Sequence, residues 1–87
     1  MSLAEFMSKN KYDPDFIVEG LKLDLATEIK KLMERKGVTK KELAQRMNVK
    51  PSYVNKILAG ENMSLKVLGK VLGALEVDAS ISININD

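Results

Sequence analysis

The chain has no cysteine, no histidine and no tryptophan. Without cysteine there is no disulfide framework and no thiolate chemistry, which suits a reducing compartment. The missing histidine excludes more: zinc sites of the usual ligand types, and nucleophilic machinery built on a Ser–His or Cys–His pair. Asp, Glu, Lys, Tyr and Ser remain for catalysis, and none of them form a recognisable constellation. The expectation is therefore no enzyme active site, no metal centre and no cofactor. Aromatic residues make up only 5% of the chain, so the core should be aliphatic. No run approaches the ~20 apolar residues needed to cross a bilayer, and no signal-peptide pattern opens the sequence. A cytoplasmic protein is expected.

What is present fits one small domain. The 87 residues are 45% hydrophobic and 30% charged, and a domain of that size buries only ~60–65% of its unfolded surface. Help from a second subunit would be natural. The net charge of +2 conceals a strong asymmetry. Between Lys30 and Gly60 there are nine basic residues against Glu34 and Glu42, a local charge of +7, while the rest of the chain carries −5. A middle third that basic suits a phosphate-lined partner.

Helix signals run along most of the chain. Residues 1–12 are weakly patterned and read as an arm or short helix. Asp13-Pro14-Asp15 starts a long helix, with Asp13 as cap and Pro14 at the first position. Leu21, Leu25, Ile29, Leu32 and Met33 follow as an apolar stripe, and Gly37 closes the helix. Thr39-Lys40-Lys41-Glu42 matches a capping box that opens a short helix through Met47. Asn48-Val49 makes a turn, and Pro51 starts another helix with Val54, Ile57 and Leu58 inward. Ser64 caps a fourth, Leu65–Leu75.

After residue 76 the period changes. Val77, Ala79, Ile81, Ile83 and Ile85 alternate with polar residues, which reads as a strand with one apolar face. No second strand is visible, and a lone strand leaves its backbone groups unpaired. The expectation is that 77–87 pairs with the same segment of a second subunit, joining a homodimer.

The middle segment carries the specific signal. Lys40-Lys41-Glu42-Leu43-Ala44-Gln45-Arg46-Met47-Asn48-Val49-Lys50-Pro51-Ser52-Tyr53-Val54-Asn55-Lys56-Ile57-Leu58-Ala59-Gly60 sets small Ala44, a tight turn and inward Val54 and Ile57 at the spacing of two steeply crossed helices. Here the chain resembles the Cro/phage-repressor type of helix-turn-helix domain, over roughly Leu25–Leu75. The resemblance implies a mainly α, lambda-repressor-like fold of four to five helices over residues 13–76, with the strand appended. It also implies a sequence-specific regulator of transcription, a repressor that binds double-stranded DNA as a dimer. Three departures stand out. Asn48 replaces the usual turn glycine but tolerates the left-handed conformation. Lys50 replaces the usual Ser/Thr cap, and Pro51 replaces a frequent base-reading residue.

By that resemblance, Pro51–Leu58 enters the major groove, and Ser52, Tyr53, Asn55 and Lys56 are its base-reading candidates. Lys40, Lys50 and Asn62 are candidates for phosphate contacts. The small size and the terminal strand resemble antitoxins of toxin–antitoxin operons; a cognate toxin would then be a second partner. The competing class is a protein-interaction module that kept this fold and lost DNA binding.

Overall fold

The computed structural model describes Ser2 and residues 11–83, and these hold four helices. They are α1 (Pro14–Lys36), α2 (Lys40–Met47), α3 (Pro51–Leu58) and α4 (Leu65–Ala74). Each start follows from local chemistry. Asp13 Oδ1 accepts from the amides of Asp15 and Phe16 at 2.9 and 3.2 Å. Thr39 Oγ1 and Ser64 Oγ each accept one amide proton three residues on, both at 3.1 Å. Such side-chain caps satisfy amides that have no partner within the helix.

All four described helices end in the same device. At α3 it is left-handed Gly60 (φ 80°) and the amide of Glu61, which returns to the carbonyl of Lys56 at 2.9 Å. At the other three a valine closes it. Gly37, Asn48 and Glu76 adopt left-handed backbone at φ 66°, 57° and 56°. The next residue, a valine each time, sends its amide back to a carbonyl of the last turn: Val38 to Met33 (2.9 Å), Val49 to Ala44 (2.9 Å) and Val77 to Leu72 (3.0 Å). This is the six-to-one bond of a Schellman motif, and the valine makes its apolar contact. Val38 is buried, and Val49 and Val77 are partly buried against the core.

The cap of α4 corrects the strand expectation. No strand occurs among the described residues. Val77 is not the first residue of an apolar strand face but the closing residue of α4, turned inward by Glu76. Ala79, Ile81 and Ile83 follow in irregular, exposed backbone, since a single extended segment finds no neighbour for its ladder. Ile85 and nearly all of the expected arm at 1–12 lie outside the described residues.

The core is aliphatic, as the composition required. Ile29, Leu43, Val54, Ile57, Val71 and Leu75 are its largest fully buried side chains, one or more from each helix. Leu25 and Leu32 are partly buried against it, but Leu21 is 56% exposed. The reason is reach: the first buried residue of α1 is Ala26, and the helix runs beyond the body on its N-terminal side. Met63 was unmarked by any period, yet it is buried in the loop before α4. Gly60 stands at φ 80°, with Leu23 of α1 only 3.1 Å from where a β-carbon would stand. Conformation and space both favour glycine there.

Candidate nucleic-acid interface

Every apolar side chain that fixes α3 points one way. Val54 and Ile57 are 0% exposed and Leu58 5%. At 100° per residue the opposite face carries Ser52, Asn55 and Lys56, positions i, i+3 and i+4 of a single stripe. All three are exposed. Lys50, Ser52, Tyr53 and Lys56, together with Val49, line one shallow groove along this face. The candidates from two segments, the turn and the helix, thus meet on one surface.

Tyr53 differs from the other base-reading candidates. It is half-buried and packs against the core, and its ring also walls a second hollow formed with Arg46, Met47, Lys70, Gly73 and Ala74. At 200° from the helix start it sits on the flank of α3, so its ring anchors the helix while its edge reaches the groove. Asn62 is exposed at φ 52° in the loop after α3. Lys40 is exposed at the first position of α2.

One cation of the basic segment has other work. Arg46 Nη1 donates to the carbonyl of Ala74 at 3.1 Å, tying the end of α2 to the end of α4. A guanidinium there satisfies a carbonyl that the last helical turn leaves open. Twenty-eight positions separate the two, so no local pattern could have revealed the link.

The turn between α2 and α3 gives the pair its form. Asn48 in left-handed backbone reverses the chain within three residues, and buried Leu43 and Ala44 of α2 face buried Val54 and Ile57 of α3. Small Ala44, 2% exposed, permits the close crossing. A helix-turn-helix family model matches residues 29–81, well over half of the chain. The chain belongs to the Cro/repressor-type helix-turn-helix family. No curated protein and no solved structure matches it. No described helix is long and apolar enough to cross a membrane.

Helix α3 begins without a side-chain cap. Lys50 occupies the cap position with extended backbone (φ −77°, ψ 149°) and makes no capping bond. Two effects of opposite sign meet at this residue. Lys50→Ser should stabilise the fold by about 1 kcal/mol, raising the melting temperature by roughly 4–8 °C. The same change should flatten the salt dependence of duplex binding by about one unit if the ammonium sits on a phosphate. Thermal melts and salt titrations of the one variant check both.

Proposed function

We propose that this protein is a non-catalytic, sequence-specific regulator of transcription that binds double-stranded DNA through α3. The supporting observation is the outward stripe of Ser52, Asn55 and Lys56 on a helix whose inner face is completely buried. A helix anchored that firmly presents its side chains in fixed register, and an exposed α-helix of this size fits the major groove. Lys56 supplies donors for the acceptors of guanine, Asn55 suits adenine, and Ser52 serves either kind of base. Lys50 shares the groove with Ser52 and Lys56, and Lys50, Lys40 and Asn62, all exposed, suit phosphate oxygens, which fix register without reading sequence.

The finer reading is a repressor that acts as a homodimer on a two-fold operator, spaced so that two recognition helices enter grooves one turn apart. Resemblance adds the antitoxin role, for which co-expression with the product of the neighbouring reading frame is the direct assay. A stable complex between the two would support it, and their independent migration would remove it.

The decisive experiment is selection of duplexes from a random library, followed by titration of the enriched sequence at several salt concentrations. Lys40→Ala is expected to weaken binding to enriched and random duplexes alike, with the salt slope reduced by about one unit. If no duplex binds even at low ionic strength, the fold serves protein interaction instead and the DNA-binding reading fails.

A further inference from the structure

The first turns of α1 have no body beneath them. Leu23 already packs on Gly60 and Leu25 on the core, so the part that projects is Pro14–Lys22, about two and a half turns. Val18 and Leu21 there are 44% and 56% exposed. With Leu25 and Leu32, which are only partly buried, they fall within an arc of roughly 60° on the helix. That arc lies about a quarter turn from the core-facing stripe of Ala26, Ile29 and Met33. The spacing of 18, 21, 25 and 32 is that of a heptad seam, broken by a polar residue at Glu28.

Charge says what covers this seam. Between Asp13 and Glu28 the helix carries five carboxylates against one ammonium, Lys22. Beyond Ile29 the balance reverses: Lys30, Lys31, Arg35 and Lys36 stand against Glu34. A parallel pair of such helices sets like charges together, which costs free energy, whereas an antiparallel pair sets the acidic half of each beside the basic half of the other. The helix is complementary to itself in one orientation.

We infer that α1 is a dimerisation helix, pairing antiparallel with α1 of a second copy through Val18, Leu21, Leu25 and Leu32. This rests on the dimer of the proposed function and gives it a surface. It also supplies the contact that the projecting turns need, since so short a helical stretch is marginal in water by itself.

Sedimentation equilibrium of the full chain without DNA tests it. The wild type should be dimeric at micromolar concentration and dissociate more readily at high salt. Leu21→Glu should raise the dimer dissociation constant by ~30-fold or more while circular dichroism shows the helices intact, because Leu21 is exposed in the single chain. Reversing the acids (Asp24→Lys with Glu28→Lys) or the bases (Lys31→Glu with Arg35→Glu) should leave each protein monomeric alone. Mixed in equal amounts, the two should form a heterodimer. A monomeric wild type, a dimer indifferent to Leu21→Glu, or a mixture that fails to associate would overturn the inference. So would loss of the dimer on truncation after Val77, which would place the interface in the terminal segment. Duplex titration remains a separate readout: a dimer through α1 that ignores DNA sinks only the DNA-binding reading.

Discussion

Replacing Ile57 with alanine is expected to lower the unfolding free energy by about 2–5 kcal/mol. Ile57 is 0% exposed and stands at the centre of the inner face of α3, among Val54, Leu43 and Val71, which are equally buried. Truncation removes three carbons from a site enclosed on every side, so the lost transfer free energy is joined by a cavity that neighbours in helices cannot readily fill. Domains of this size have total stabilities of only about 5–15 kcal/mol. The variant should therefore melt ~10 °C or more below the wild type. Urea unfolding followed by circular dichroism, at matched protein concentration so that subunit association does not confuse the comparison, gives the number. Duplex binding should fall in proportion to the unfolded fraction and recover in the cold. A loss under about 1 kcal/mol would mean that α3 is not anchored as its burial indicates.

Helix starts and most of the core could be read because they rest on local chemistry: a capping side chain, a proline at the first position, apolar residues at helical spacing. All four helices lie where those signals put them, and α1 keeps its full span from Pro14 to Lys36. Endings were readable where glycine or asparagine occupied the left-handed position, at Gly37, Asn48 and Gly60. The ending of α4 was hidden because glutamate holds it, at φ 56°. Glutamate carries no signal for that conformation, so Val77 was counted into the alternating segment that follows. Period alone cannot assign a residue that belongs to one pattern and continues another.

The site was legible in part. Ser52, Asn55 and Lys56 share a face by helical geometry alone, so their convergence needed no tertiary information. Tyr53 lies at the margin of that face, and whether its ring turns to the groove or to the core depends on α4, far away in sequence. Arg46 is the sharper case. Its charge contributed to the basic tally, yet its guanidinium is held by Ala74. Leu21 is the converse: its spacing matched the core stripe, but no body extends far enough to cover it. Periodicity gives a direction on the helix, and only the packed structure says what stands there.

Lys56→Ala should leave stability within about 0.5 kcal/mol of the wild type and weaken binding to the selected duplex by ~1–3 kcal/mol, roughly 5- to 150-fold. The side chain is exposed, so no cavity forms. Its backbone carbonyl, which accepts from the amides of Ala59 and Glu61 at 3.2 and 2.9 Å, is untouched by the change. What disappears is a donor group on the outward stripe, where two acceptors of one guanine can meet an ammonium. The same variant also separates base reading from phosphate contact. Loss of a base contact relaxes preference at one base pair and spares random duplexes. Loss of a phosphate contact weakens every duplex equally and flattens the salt slope by about one unit. Titration of the selected sequence, of its single-base variants and of random duplex distinguishes the two, and an affinity unchanged for all three would take Lys56 out of the interface. The base-reading outcome is the expected one, because Lys56 lies on the stripe with Ser52 and Asn55, whereas Lys40 and Lys50 sit at helix starts.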